Sequence, residues 1–128
     1  NKKQAREAAE GILEFVELSR MRDLRAMDLI LANQKRLEVA RALATEPHLL
    51  LLDEVMAGLN PTEVAQAMEL VKRIRERGIT ILMIEHVMKA IMSICERIIV
   101  LHHGEKIAEG VPEHISKNKT VIEVYLGE

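Results

Sequence analysis

The chain has 128 residues, a formal net charge of −2 and a hydrophobic content of 48%. That length suits one domain, and that hydrophobic content is enough to build a core. Nucleic-acid binding is disfavoured, because the charge provides no basic field and an aromatic content of 2% leaves no stacking platform for bases.

Cysteine usage and hydropathy exclude further classes. Cys95 is the only cysteine, so neither an intrachain disulfide nor a cysteine metal cluster is possible, and its apolar neighbours predict a small buried side chain. No apolar run has the length of a membrane span, and no signal peptide is recognisable, so we expect a cytoplasmic location. Because the chain begins at Asn1 rather than Met, we expect that it was cut from a longer protein.

The N-terminal segment is predicted to be helical. Residues 2–18 carry apolar side chains at helical spacing, which predicts an amphipathic helix. Residues 19–31 are rich in arginine and aspartate and are predicted to form a loop or short helical turns. Neither segment carries a catalytic pattern.

A second helix is predicted over residues 33–46, with Asn33 as its N-cap and Pro47 preventing its continuation. Its first turn is polar and contains Gln34 and Lys35. A basic turn at a helix N-terminus can bind a phosphate, but the spacing alone favours a solvated turn.

Four consecutive leucines, residues 49–52, are followed by Asp53 and Glu54. The apolar run predicts a strand buried on both faces of a parallel sheet. Ligands of open α/β sheets bind outside the carboxyl ends of the strands, where the two carboxylates are placed. The pair can bind Mg²⁺ and position a water at a phosphate, or it can simply lead into a loop.

The next elements predict a β-α-β unit. A helix over residues 62–77, closed by Gly78, leads into an apolar strand at residues 79–84. Parallel strands end at the same edge of a sheet, so Glu85 and His86 should emerge near the two carboxylates if the strands are neighbours. His86 is therefore a candidate functional residue.

The C-terminal part predicts a helix at residues 87–95, a strand at residues 97–101 and a hairpin turn at residues 102–105, with a positive φ available at Gly104. His102 and His103 are predicted to face opposite sides of a strand, which disfavours a shared metal ion and favours a plain turn. An edge strand and two short helices follow, at residues 106–108, 112–117 and 120–126. The predicted fold is α/β, a parallel sheet flanked by helices, with a C-terminal β-hairpin and short helices.

Five segments resemble, in the expected order, motifs of the ATP-binding-cassette (ABC) ATPases. Residues 49–54 resemble the Walker B motif, and residues 34–43 resemble the helix that follows the signature motif. Residues 57–61 are similar to the D-loop, residues 84–86 to the switch-histidine segment, and residues 100–110 to the hairpin after it. The tail, residues 121–128, resembles subunits that energise branched-chain amino acid uptake.

The resemblance implies an incomplete P-loop NTPase-like sheet and a single partial ABC ATPase domain over residues 1–128. Residues 1–32 would be the end of the helical subdomain with a degenerate signature, and residues 33–128 the C-terminal part of the catalytic core. The implied cofactors are ATP and Mg²⁺. The implied partners are a second ATPase subunit, forming a dimer, and transmembrane permease subunits. The implied location is the cytoplasmic face of the inner membrane, as a peripheral protein.

The resemblance also implies residue roles. Asp53 would hold Mg²⁺, Glu54 would polarise the attacking water, and His86 would contact the γ-phosphate. Further nucleotide-binding candidates are Asn60, which would touch the partner subunit across the nucleotide, and Gln34 and Lys35.

The sequence departs from the family in two respects. It contains no G-x-x-x-x-G-K-[ST] phosphate-binding loop, and we expect that loop and the Q-loop to lie upstream of residue 1. Its signature is eroded: Ile30, Ala32 and Asn33 stand where serine and glycines are usual, and Val55 stands where proline usually follows the glutamate. Ile30 has no hydroxyl to donate to a γ-phosphate.

A structural expectation follows, because the family usually places its P-loop strand between the switch-histidine strand and the next one. Residues 79–84 and 97–101 should therefore either leave an open slot or pair directly. A slot would expose apolar edges and favour association.

Two functions remain open. The first is the ATPase subunit of an importer for branched-chain (hydrophobic) amino acids, present as a fragment that is nearly inactive and binds MgATP weakly by itself. The second is a non-catalytic α/β interaction or dimerisation module derived from that fold. The eroded signature favours the second function, and the intact Asp53, Glu54 and His86 favour the first.

Overall fold

The computed structural model describes residues 1–127. Its helices and strands follow one another as α1 (Lys2–Phe15), α2 (Leu31–Leu43), β1 (Leu49–Asp53), α3 (Pro61–Glu76), β2 (Thr80–Ile84), α4 (Met88–Ile94), β3 (Ile98–His102), β4 (Glu105–Gly110), α5 (Pro112–Lys117) and α6 (Lys119–Val121). Short 3₁₀ turns lie between α1 and α2, at Ser19–Met21 and Ala26–Asp28, and a π-helical turn, Ile122–Leu126, follows α6. The chain divides into a first unit, Asn1–Ile84, and a second unit that begins at Glu85. The assignment of the whole chain to one partial domain stays a prediction.

The first unit contains the parallel strand pair that the sequence predicts. β1 lies beside β2, in a register that places Leu51 opposite Leu82 and Asp53 opposite Ile84. Helix α3 connects the two strands. Asn60 caps it, Pro61 occupies its first position, and Gly78 follows its last turn with φ +87°. Each of these three residues suits its position, because proline fits the first helical turn and glycine tolerates a left-handed backbone.

The prediction that the leucine strand β1 is buried on both faces is wrong. Along β1, Leu50 and Leu52 are buried, whereas Leu51 is 65% exposed. Successive side chains of a strand point to opposite faces, so one face of the sheet packs inward and the other is open. The large aliphatic side chains on this outer face are those of Leu49, Leu51, Leu82 and Ile84.

Helix α2 begins earlier than predicted, at Leu31, and ends at Leu43. The predicted N-cap Asn33 lies inside its first turn, and its side-chain amide donates to the Met21 sulfur at 3.1 Å. The N-cap position is occupied by Ile30, which supplies no side-chain hydrogen bond. Helix propagation therefore starts two residues before the polar residue that the sequence pattern favours as a cap.

Helix α1 has no buried residue and is attached through the chain that follows it. Val16 and Leu18 are almost fully buried, with exposed fractions of 0% and 2%. The Arg36 guanidinium donates to the Val16 carbonyl at 2.9 Å, and the Arg73 guanidinium donates to the Phe15 carbonyl. Arginine from α2 and α3 thus satisfies backbone acceptors at the end of α1.

The second unit is built on an antiparallel hairpin of β3 and β4. Its two-residue turn consists of His103 and Gly104, with φ +49° and +77°. Two successive positive φ values characterise the type I′ turn, whose twist matches that of the flanking strands. Because His103 lies in this turn, the predicted opposite orientation of the two histidines is wrong: the ring centroids of His102 and His103 are 4.0 Å apart.

The buried cluster of the second unit joins the hairpin to its helices. It comprises Ile91, Ile98, Val100, Ile115 and Val121, with Cys95 half-buried against it. The Tyr125 hydroxyl donates to the Leu101 carbonyl and links the C-terminal turn to β3. The cluster and this hydrogen bond connect the hairpin to the helices of the second unit.

Strands β2 and β3 do not pair in the described residues, since β1 pairs with β2 and β3 with β4. Direct pairing, one of the two expected arrangements, is thus not found. No helix in the described part of the chain combines the length and the hydropathy needed to span a bilayer.

Candidate functional site: the carboxyl end of strand β1

Asp53 and Glu54 lie at the carboxyl end of β1, beside the end of β2. The Glu54 backbone N–H donates to the Ile84 carbonyl at 2.8 Å, which extends the parallel ladder by one bond beyond Asp53. Both carboxylate residues are exposed. The predicted placement of an acidic pair at the carboxyl edge of a parallel sheet is therefore found, and this is the edge at which α/β proteins bind ligands.

The backbone of Glu54 is left-handed, with φ +51°. A residue with a side chain rarely adopts this conformation, and it persists where surrounding contacts fix it. The Glu54 carbonyl accepts from the Ala57 N–H at 3.2 Å, which closes a turn directly after the strand. Met56, inside that turn, is 1% exposed and anchors the loop to the core.

Lys35 contacts this loop from helix α2. Its ammonium donates to the Glu54 carbonyl oxygen at 3.3 Å. The neighbouring Gln34 is half-buried, and its backbone N–H donates to the Ile30 carbonyl at 2.9 Å. The assignment of both residues to nucleotide binding stays a prediction, whereas the contact of Lys35 with the Glu54 backbone was not foreseen.

Asn60 ends the same loop and begins helix α3. Its side-chain oxygen accepts from the Glu63 N–H at 2.8 Å, and the Glu63 carboxylate accepts from the Asn60 N–H at 3.0 Å. This reciprocal capping box satisfies donors that the helix itself leaves unpaired. Asn60 therefore has a structural role in this chain, and its contact with a partner subunit stays a prediction.

His86 follows the end of β2 by two residues and is exposed. It belongs to the second unit, whereas the two carboxylates belong to the first. The condition for their meeting, that β1 and β2 be parallel neighbours, is confirmed. The approach of the imidazole to Asp53 and Glu54 stays a prediction.

The exposed Asp53 carboxylate fits one ligand position of Mg²⁺. This ion is commonly held by one or two carboxylates together with phosphate oxygens and waters. Within residues 1–127, no three His, Cys, Asp or Glu side chains are grouped so as to hold a metal ion. The chain thus offers a carboxylate for a phosphate-bound Mg²⁺, and its sequence has no glycine-rich loop to cradle the phosphates.

Comparison with known proteins gives a consistent result. The family described as "Branched-chain amino acid ATP-binding cassette transporter" matches residues 105–128. The sequence is 43% identical, over 129 residues, to the high-affinity branched-chain amino acid transport ATP-binding protein BraF of Pseudomonas aeruginosa, covering 100% of this chain and 51% of BraF. It is also 43% identical to the corresponding protein LivG of Escherichia coli (strain K12), over 98% of this chain and 49% of LivG.

A solved structure shares the fold. It is described as the ADP conformation of MJ1267, an ATP-binding cassette of an ABC transporter, and it matches with a TM-score of 0.86 and 33% identity over 95% of this chain and 50% of that one. Over nearly its whole length the chain is similar to ABC transporter ATPases. The two relatives are branched-chain amino acid transport ATP-binding proteins, and the chain spans about half their length.

The segment that resembles the signature motif lies at the start of helix α2. Ile30 adopts an extended backbone at the N-cap of α2, and its side chain is 63% exposed. A serine at a helix N-cap satisfies a backbone N–H, which isoleucine cannot do. Ala32 and Asn33, in place of glycines, are half-buried in the first turn of the helix.

Proposed function

We propose that this chain is the part of an ABC importer ATPase that supplies the metal carboxylate and the general base for ATP hydrolysis. In a longer protein it acts with a second ATPase subunit and with transmembrane permease subunits, peripherally on the cytoplasmic face of the inner membrane. The transported substrate class is branched-chain, hydrophobic amino acids. By itself the chain has little or no ATPase activity.

The observation that carries this proposal is the placement of Asp53 and Glu54. Both carboxylates are exposed at the carboxyl end of a parallel strand, where a nucleotide phosphate can approach. The transport function is supported by the names and the 43% identity of BraF and LivG, which are branched-chain amino acid transport proteins. The proposed roles of Asn60 and Gln34 rest on the resemblance of their segments to family motifs.

Each proposed role follows from the chemistry of the side chain. Mg²⁺ neutralises phosphate charge when it is bound, and Asp53 would hold it. The Glu54 carboxylate accepts a hydrogen bond from the attacking water. This bond orients a lone pair of the water oxygen towards the γ-phosphorus. His86 donates to a γ-phosphate oxygen from the segment after β2. Most of the rate of phosphoryl transfer comes from such positioning and charge stabilisation.

The second candidate is a non-catalytic α/β interaction module. It is favoured by the uncapped start of α2, where Ile30 presents a methyl-bearing side chain in place of a hydroxyl. Such a module would keep the sheet and the dimer surfaces without the reaction.

The decisive experiment substitutes Glu54→Gln in a full-length ATPase. A suitable protein is a fusion in which this chain replaces the segment of E. coli LivG with which it aligns, called the LivG fusion below. Glutamine keeps the size of the side chain and removes the base, so we expect kcat for ATP to fall about 10²- to 10⁴-fold. Nucleotide affinity, measured by calorimetry, should be retained.

Glu46→Gln is the matched control, because Glu46 is also an exposed glutamate with a left-handed backbone, φ +53°. It should leave kcat unchanged. An unaltered ATPase rate in the Glu54→Gln fusion would reject the catalytic role and favour the interaction module.

A further inference from the structure

Helix α2 contacts the Glu54 loop, defined as residues 54–60, at two points one helical turn apart. At the first, Lys35 donates to the Glu54 carbonyl at 3.3 Å. At the second, Leu31 approaches Gly58 so closely that a Cβ added to the glycine would lie 3.0 Å from the Leu31 Cδ2 atom. Positions four residues apart share one face of a helix, so a single face of α2 makes both contacts.

A small cavity lies between helix α2, helix α3 and the Glu54 loop. The cavity there has a volume of about 30 Å³ and is lined by side chains that include Lys35, Val39, Val55 and Leu59. A volume of this size has room for no more than about two waters and for no ligand. Lys35 and Val55 both line this cavity, and the Lys35 ammonium donates to the Glu54 carbonyl.

Hydrogen bonds fix both peptide groups that flank the Glu54 Cα atom. On the N-terminal side the Glu54 N–H donates to the Ile84 carbonyl, and on the C-terminal side its carbonyl accepts from Ala57 and from Lys35. A left-handed backbone at a residue other than glycine needs this kind of support. Lys35 is the charged donor among these bonds, and charge-assisted hydrogen bonds are stronger than neutral ones.

We propose that Lys35 is a positioning residue, which holds the left-handed turn of Glu54 so that the carboxylate is aimed for its reaction. This proposal rests on the proposed function, because it assigns a task to the backbone that carries the general base. It differs from the expectation that Lys35 binds a nucleotide phosphate. A positioning residue acts on kcat, whereas a ground-state phosphate contact acts on KM.

The test compares three variants of the LivG fusion by steady-state ATPase kinetics. Lys35→Met keeps an unbranched side chain of similar length and removes the donor. We expect kcat to fall roughly 10- to 100-fold, since a small misplacement of a catalytic group costs about that much, while KM for ATP changes less than about twofold. Lys35→Arg, which restores a charged donor, should recover kcat. Lys3→Met, on the exposed face of α1, is the matched control and should match the parent fusion.

Hydrogen–deuterium exchange of the peptide that spans residues 54–60 gives a readout that does not depend on activity. Lys35→Met should speed exchange of the Ala57 amide at least about threefold, because the turn that this amide closes with the Glu54 carbonyl opens more often. Exchange in β3 should not change. Lys3→Met should leave both segments as they are in the parent fusion.

Two results would overturn the assignment. A rise in KM with unchanged kcat in Lys35→Met would show that the ammonium binds phosphate, and unchanged exchange at residues 54–60 would show that it does not hold the turn. If the parent fusion has no ATPase activity, the proposed function fails, and the exchange measurement alone then decides whether Lys35 holds the Glu54 turn.

Discussion

The strands are paired differently in the two units of this chain. In the first unit, β1 and β2 run parallel and are joined by the 16-residue helix α3. In the second, β3 and β4 run antiparallel and are joined by a two-residue turn. A parallel pair requires a long crossover, so its two strands come together only through tertiary packing, whereas the hairpin is specified locally.

The units also differ in what their strands expose. Both strands of the first unit carry large aliphatic side chains on the outer face, at Leu49, Leu51, Leu82 and Ile84. Among the described residues of the hairpin, only β3 does so, at Ile99 and Leu101. The candidate carboxylates follow β1, which belongs to the unit whose two strands both expose large aliphatic side chains. The first unit therefore carries the two candidate carboxylates beside an exposed apolar sheet face. In the second unit, the hairpin and the helices share one buried cluster.

The division of the chain into two units predicts separate responses to a cavity. Ile74, in α3, is 0% exposed, and its truncation to alanine should destabilise the first unit by about 2–5 kcal/mol. Hydrogen exchange should then rise more in β1 than in β3. The measurement is peptide-level exchange, together with urea denaturation of a protein that contains this chain.

Ile115→Ala is the reciprocal variant, because Ile115 is 2% exposed in the cluster of the second unit. It should raise exchange more in β3 than in β1. Equal increases in β1 and β3 for both variants would show that the two units unfold as one.

The outer face of β1 and β2 should drive association of the chain. Leu51→Lys combined with Leu82→Lys places two charges at directly paired positions of that face. Exposed apolar patches of this kind promote association, so we expect the weight-average mass of the chain to fall towards that of the monomer in light scattering.

Ile99→Lys combined with Leu101→Lys is the matched control on β3, and it should lower the mass less. If the two double variants lower the mass equally, association does not depend specifically on the outer face of β1 and β2.

Helix capping provides the smallest of the expected effects. Helices α3 and α5 both begin with proline, but only α3 has a side-chain cap, supplied by Asn60. Asn60→Ala should cost about 0.5–2 kcal/mol in urea denaturation, and Asn60→Asp should cost little because its oxygen can still accept the Glu63 N–H.

At the corresponding position of α5, Val111→Ala should change stability by less than about 0.5 kcal/mol, since no cap is lost. A cost for Asn60→Asp as large as for Asn60→Ala would mean that the amide group, rather than the capping oxygen, matters at this position.

Much of the local structure could be predicted from the sequence. The leucine run ending in Asp53 predicted β1, Gly78 marked the end of α3, and Gly104 marked the hairpin turn. These signals are strong because each reflects a local conformational preference. The N-cap at Asn33 failed, because capping propensity alone does not decide where the helix starts when the preceding residues can also be helical.

The candidate site was predictable in part. The order of residues placed Asp53 and Glu54 at the end of a strand, and the β-α-β pattern predicted a parallel neighbour. The contact between Lys35 and Glu54 was not predictable, because the two residues are 19 positions apart and belong to different elements. The one signal was Gly58, since a glycine in a tight loop often marks the close approach of another side chain.

The sequence by itself determined the family, the order of the elements and the acidic pair at a strand end, because these depend on residue identity and short-range periodicity. The tertiary structure alone decided which sheet face is open, which side chains fix the left-handed Glu54, and that β2 and β3 do not pair. These features depend on contacts between segments that are distant in the sequence. Periodicity along the chain does not specify which segments pack together or which donor bonds a given carbonyl.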